Sequence, residues 1–221
     1  MCSVDERPII LILADGDWPS EDRLRSAVRA TQWTIAADGA FSKAKKLGIH
    51  VDCVVGDFDS LSPDDAARAR AEAKVDVYPT EKDWTDLELA IDLALTYSPS
   101  RIVIYGAIGS RLDHSLAAVF LLEKILSHGV DAELVAGRET ARLTSEELVL
   151  RDVRIGDRVS ILPISKQAIV ETTGLQYGLK EEKIDRSLSR GISNVVKSVP
   201  VQVRVTSGLV LVIHAPSKES L

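Results

Sequence analysis

Two carboxylates separated by one residue, in Gly56-Asp57-Phe58-Asp59-Ser60, carry the sharpest chemical signal in the chain. Held together in a glycine-containing loop they repel one another, and a bound divalent cation removes that penalty. Hard oxygen ligands of this kind suit Mg²⁺, which is usually held by a few carboxylates together with substrate phosphates; the alternative for the pair is a solvated turn. A second acidic run, Lys82-Asp83-Trp84-Thr85-Asp86, either joins such a site or caps the helix that follows and opposes its dipole. In Gly106-Ala107-Ile108-Gly109-Ser110-Arg111-Leu112-Asp113-His114, two glycines and an arginine precede a helical pattern. Backbone N–H groups at a helix start and a guanidinium bind phosphate oxygens well, although a tight strand-to-helix turn alone would use the same glycines. There is no GxxxxGK[ST] and no complete GxGxxG, so neither a Walker-type loop nor a dinucleotide fingerprint applies. His114 is given no proton-transfer role, since a lone histidine is more often structural.

These residues fall just after short apolar runs that alternate with segments of helical period. The pattern predicts strands over 9–13, 34–37, 53–55, 75–78, 101–105 and 132–135, and helices over 20–30, 40–47, 63–73, 85–95 and 113–128. In the helix over 85–95, Leu87, Ala90, Ile91, Ala94 and Leu95 form one apolar stripe. Such an alternation implies an open, mostly parallel, Rossmann-like α/β sheet, whose ligand crevice lies at the carboxyl ends of its strands. Asp15 and Asp17, Asp38-Gly39, Asp57 and Asp59, and the glycine-rich 106–114 run all fall at those ends and predict one acidic, glycine-lined cleft. Trp18, Trp33 and Trp84 form no stripe and read as packing residues, with Trp84 in position to line the cleft.

After about residue 140 the pattern changes to short β-like runs broken by turn residues, which predicts a C-terminal β-sandwich domain. The expected division is 1–138 and 139–221, with 138–144 as the linker. Val201, Val203 and Val205 alternate with polar residues, Ser207-Gly208 offers a two-residue turn, and Leu209, Leu211 and Ile213 continue the alternation, which predicts a closing hairpin.

Composition narrows the function classes. With 27 Lys+Arg against 33 Asp+Glu the 221-residue chain carries a formal charge of −6, so it lacks the broad positive field that nucleic acids or anionic membranes require. The first apolar stretch, from Pro8 to Ala14, is far shorter than the roughly 20 residues of a membrane span, and no basic region precedes it. Cys2 and Cys53 form no disulfide framework and no zinc spacing, which points to a reducing, cytoplasmic location.

Taken in order, Ala37-Asp38-Gly39-Ala40, Val55-Gly56-Asp57-Phe58-Asp59-Ser60, Lys82-Asp83-Trp84-Thr85-Asp86-Leu87-Glu88, the 106–114 run, Thr173-Gly174-Leu175-Gln176-Tyr177-Gly178-Leu179 and Gly191-Ile192-Ser193-Asn194 resemble the thiamine pyrophosphokinase family. The blocks span both halves of the chain. The resemblance implies a Mg²⁺-dependent kinase-type transferase that moves a pyrophosphoryl group from ATP to thiamine, leaving AMP. It also implies an ATP-binding α/β domain, a thiamine-binding β-sandwich, and a homodimer with its thiamine sites at the subunit interface. By motif position Asp57, Asp59 and Asp86 look like magnesium ligands. Lys82, Arg111 and Asp113 look like residues around the phosphates and the reacting hydroxyl, and Asp38, Gly39, Asp83, Gly106 and Gly109 complete the ATP side. Tyr177, Ser193 and Asn194, with Asp113, look like the thiamine side, where an aromatic face suits the cationic thiazolium; Tyr177 also reads as an ordinary core residue of the β domain.

Tyr177 stands where other members carry Trp, Gly178 where a proline is common, and Ala118 where an Asn is common. Another heteroaromatic alcohol, such as a hydroxymethylpterin, is therefore the alternative acceptor. A non-catalytic nucleotide or thiamine sensor is the reading from a different class, and the intact set Asp57, Asp59, Asp86 and Arg111 argues against it.

Overall fold

The structure, a computed structural model, describes residues 6–79, 81 and 83–217. Lys82 and Cys2 lie outside the described residues. The chain forms two compact units, Met1–Gly137 and Arg138–Leu221.

The first unit is built from β1 (Ile9–Leu13), α1 (Glu21–Ala30), β2 (Trp33–Ala37), α2 (Ala40–Lys46), β3 (Cys53–Gly56), α3 (Pro63–Glu72), β4 (Lys74–Val77), α4 (Asp86–Thr96), β5 (Arg101–Tyr105), α5 (Leu112–Ser127) and β6 (Asp131–Ala136). Its strands lie in the order β6-β5-β1-β2-β3-β4 and every pairing is parallel. The central strand β1 reads Ile-Ile-Leu-Ile-Leu, and Ile10, Leu11, Ile12 and Leu13 have no exposed surface. Such unbroken apolar runs belong to parallel strands covered on both faces. From β1 the chain steps outward through β2, β3 and β4, then crosses by α4 to β5 on the other side of β1. The order reverses there, and the carboxyl ends of β1 and β5 open a crevice at that switch point.

The buried face of α4 comprises Leu89, Ala90, Ile91 and Ala94, while Leu87 and Leu95 are only half-buried, so the expected stripe is rotated toward Leu89. Thr85 caps this helix by accepting from the Glu88 N–H at 3.2 Å, and Asp86 occupies its first turn. Trp33 stacks on Tyr97, and Trp18 packs on the core, its indole N–H donating to Ala14 O at 2.7 Å. Trp84 departs from the packing expectation: it is 52 % exposed and does not line the cleft described below.

The second unit holds β7 (Glu139–Thr144), β8 (Glu147–Leu150), β9 (Arg158–Pro163), β10 (Gln167–Thr173), β11 (Glu182–Asp185), β12 (Asn194–Val195), β13 (Val201–Ser207) and β14 (Val210–Ala215). They form two antiparallel layers, β12-β9-β14-β7 and β11-β10-β13-β8, around one core that includes Val159, Ile161, Val170, Val203 and Val212.

In this unit the linker and the closing hairpin both depart from expectation. The 138–144 linker is mostly β7, a strand paired along its length with β14. The closing hairpin does not form: β13 pairs with β10 and β8, whereas β14 pairs with β7 and β9. The chain changes layers at Gly208, whose φ is +89° and where a Cβ would sit 2.5 Å from Gln167 O. Alternation says which face of a strand is buried and not which strand lies beside it. Val201, Val203 and Val205 face Val210 and Val212 through the shared core instead of lying beside them.

Candidate active site

Asp38, Asp57 and Asp59 converge, each offering a carboxylate oxygen, with the three oxygens within 4.8 Å of one another. Local backbone explains the meeting. Asp38 follows β2 at φ +40°, and its N–H donates to Val55 O on β3 at 2.8 Å. Gly56 permits this approach, since a Cβ there would lie 2.8 Å from the Cβ of Asp38. Phe58, at φ +64°, sends its ring into the core, leaving the carboxylates on either side of it to face Asp38.

The three acids differ in burial: Asp38 is buried, Asp57 intermediate and Asp59 exposed. Among the described residues, Oδ1 of Asp38 is a buried acceptor without a hydrogen-bond partner. Burial raises the Asp38 carboxyl above its ordinary value, a hydrogen bond from Ser60 opposes this, and the charges of Asp86, Asp57 and Asp59 add to the rise. An all-oxygen donor set containing one buried, unpartnered carboxylate oxygen fits a hard divalent cation. The structure thus gathers Asp38 with the expected Asp57 and Asp59, while Asp86 lies on the wall of the same cavity and acts on Asp38 through its charge.

That cavity, about 370 Å³, is lined on its polar side by Asp15, Asp38, Gly39, Ser60, Asp86 and Arg111 and on its apolar side by residues including Leu87, Ala117, Ala118 and Leu121. Its floor is a pair of loops zipped together. Gly16 N–H donates to Gly106 O at 2.7 Å and Asp17 N–H to Ile108 O at 3.0 Å. Neither glycine tolerates a side chain: a Cβ on Gly16 would sit 2.4 Å from Gly106 O, and one on Gly106 would sit 2.1 Å from Ala14 O. Gly109 also lines the cavity, and its N–H donates to Ser115 Oγ at 3.3 Å.

Arg111 stands at the N-cap of α5 and pairs with Asp113 at 2.7 Å, both side chains being largely exposed. The guanidinium beside it, with the His114 N–H, pulls the Asp113 carboxyl down to about 2. A carboxylate held so low is a weak proton acceptor near neutral pH. His114 lines the cavity, whereas Asp83 is exposed and lies outside its lining.

Lys43 is a residue that sequence reasoning missed. Its ammonium donates to Gly16 O at 2.6 Å and sits 4.5 Å from the centre of the Trp18 ring. Burial lowers its pKa against the opposing pull of Asp15 and Asp17. With Lys45 and Lys46 it reads in sequence as the ordinary basic last turn of a helix, which hid its reach into the β1 loop.

In the second unit Tyr177 is 60 % exposed and so is no core residue. Asn194 is buried and binds the Tyr177 backbone, and Ser193 is exposed, at φ +55°, with its N–H donating to Ser160 Oγ at 2.9 Å. These three expected residues therefore sit together.

Comparison with known proteins supplies the family. Residues 24–134 match the family model for the thiamin pyrophosphokinase catalytic domain, and residues 146–210 match its vitamin B1 binding domain. A thiamine pyrophosphokinase from Bacillus subtilis is 32% identical over 142 residues, which span 63% of this chain and 66%, just under two thirds, of that relative. The thiamin pyrophosphokinase 1 of Caenorhabditis elegans is 23% identical over 206 residues, covering 87% of this chain and 83% of its own. The crystal structure of thiamine pyrophosphokinase from Bacillus subtilis superposes with a TM-score of 0.85 at 26% identity, covering 95% of this chain and 99% of that one. Among the described residues no helix is long and apolar enough to cross a membrane.

Proposed function

The chain belongs to the thiamin pyrophosphokinase family, and from that premise we propose that it transfers a pyrophosphoryl group from ATP to the hydroxyl of thiamine, giving thiamine diphosphate and AMP. The observation that carries this reading is the convergence of Asp38, Asp57 and Asp59, with an unpartnered buried oxygen among them, beside a glycine-floored cavity bordered by Arg111. In the reaction the thiamine oxygen bonds to the β-phosphorus, the bond from that phosphorus to the α-phosphate oxygen breaks, AMP departs, and the hydroxyl proton passes to solvent.

Mg²⁺, which we assign to Asp38, Asp57 and Asp59 with Asp86 close by, would when bound neutralise the triphosphate and make the β-phosphorus more electrophilic. The chain's own residues supply position and charge. Arg111 offers a planar fork matched to the oxygens of the transferring group, and it exchanges Asp113 for phosphate when the nucleotide arrives. Asp113, released by Arg111, orients the acceptor hydroxyl. The Gly16 and Gly106 loops let the triphosphate approach main chain closely, with Gly39, Gly109, Lys82 and Asp83 assigned to the same nucleotide. Most of the rate then comes from preorganised electrostatics.

The Tyr177 face, with Ser193 beside it, is assigned to the thiazolium cation. We assign the nucleotide to the first unit, the acceptor to the second, and a homodimer with its thiamine sites at the subunit interface to the working enzyme, placed in the cytoplasm. Incubation with ATP, Mg²⁺ and thiamine, followed by ³¹P NMR and chromatography, tests the reaction. Equal AMP and thiamine diphosphate, abolished by EDTA, is the expected result; ADP with thiamine monophosphate would mean γ-phosphoryl transfer and would overturn it.

A further inference from the structure

Asn194 enters from family resemblance as a thiamine residue, yet its carboxamide is already engaged by the chain itself. Oδ1 accepts from the N–H of Tyr177 at 3.0 Å and from that of Val195 at 2.9 Å, and Nδ2 donates to Tyr177 O at 2.7 Å. The residue is 5 % exposed. A side-chain amide presents the same donor and acceptor as a backbone amide, so Asn194 holds the Tyr177 peptide as a neighbouring strand would. Backbone pairing continues from there toward Gly174: Gln176 N–H donates to Val195 O at 2.8 Å, Leu175 bridges Val196, and Lys197 N–H donates to Gly174 O at 2.8 Å. Asn194 is itself fixed, since β12 pairs with β9 through Asn194 and Val159. The Tyr177 ring is exposed by contrast, its hydroxyl accepting from Gln176 Nε2 at 3.2 Å.

We propose that Asn194 is a positioning residue that clamps the backbone N–H and C=O of Tyr177, fixes the aromatic face offered to the acceptor, and does not itself touch the acceptor. For the identity of that acceptor the proposal rests on the reading in the preceding subsection. A neutral amide spent on its own backbone has little left for a cation, whereas an aromatic ring whose peptide is pinned loses little freedom when a cation settles on it.

Kinetics and amide exchange on the full-length protein separate the clamp from a direct contact. Asn194→Ala raises the thiamine KM about tenfold while kcat stays nearly constant, the signature of lost uniform binding. Asn194→Asp keeps an oxygen to accept from the Tyr177 and Val195 N–H groups, replaces the donor to Tyr177 O with a second oxygen and adds a negative charge. A residue touching the thiazolium would then bind it more tightly, so a KM that falls overturns the clamp and a KM that rises supports it. In a double-mutant cycle Asn194→Ala adds nothing to the KM of Tyr177→Ala if it acts through Tyr177; additive effects would mean a separate contact. Hydrogen exchange supplies a readout independent of activity: the Tyr177 amide of Asn194→Ala exchanges about tenfold faster or more than in wild type. Unchanged exchange in a folded variant overturns the clamp. If wild-type protein makes no thiamine diphosphate, the assigned reaction falls, and the exchange experiment still decides what Asn194 does.

Discussion

Asp38 is held where a carboxylate is least stable, buried, with one oxygen unpartnered and other acids close by. Its raised pKa means that folding is penalised by its charge: the penalty grows as pH rises from the ordinary value of 3.8 through the raised folded value, and is complete above it. Asp38→Asn removes the charge and gives Asp57 and Asp59 an amide to receive from. In EDTA at neutral pH this variant should be more stable than wild type by about 1–2 kcal/mol in denaturant melts, and it should lose Mg²⁺-dependent turnover. Lower stability than wild type would mean that Asp38 is satisfied in the fold and is not stored for a ligand. Arg111 is the opposite case, exposed and paired with Asp113. Arg111→Lys keeps the charge and loses the fork, so kcat should fall about tenfold or more with little change in melting temperature. Wild-type turnover in steady-state kinetics would remove Arg111 from the transferring group.

The elements bring these residues together through loops that glycine alone can build. At Gly106, with φ +74°, an added Cβ would meet Ala14 O at 2.1 Å and Trp18 Nε1 at 2.5 Å, so Gly106→Ala must push the β1 and β5 loops apart. The expected cost is at least about 2 kcal/mol, accompanied by a larger rise in the KM for ATP than in that for thiamine. A variant with unchanged ATP kinetics would show that the zipped loops do not shape the nucleotide site. Much of this frame is legible in sequence, because β1 and β5 are apolar runs and α4 and α5 carry helical periods long enough to place. The remainder depends on partners that periodicity cannot name. Val201, Val203 and Val205 announce a buried face, but their strand neighbours come from β10 and β8 and not from the residues just beyond Gly208. Likewise β7 alternates too weakly to stand apart from a linker until β14 pairs with it. At the site, Asp57 and Asp59 are legible because one loop carries both. That Asp38 meets them is a fact of β2 lying beside β3, and that Lys43 reaches Gly16 is a fact of where α2 packs.

On the scale of the whole molecule, each unit has its own core and its own candidate residues, the acids and Arg111 in the first and Tyr177 with Asn194 in the second. Suppose the working enzyme is a homodimer in which each thiamine site takes Asp57 from one copy and Tyr177 from the other. That arrangement has an arithmetic consequence. An Asp57→Asn chain and a Tyr177→Ala chain are each defective alone, but after unfolding and refolding together they associate at random, and half of the dimers are mixed. In a mixed dimer one site collects both defects and the other collects none, so the preparation should recover about a quarter of wild-type activity, given symmetric pairing. Sites completed within a single chain cannot be repaired this way, since every chain in the mixture carries one defect. Mixed dimers verified by native mass spectrometry yet showing no recovered turnover would therefore place Asp57 and Tyr177 of each site on the same copy.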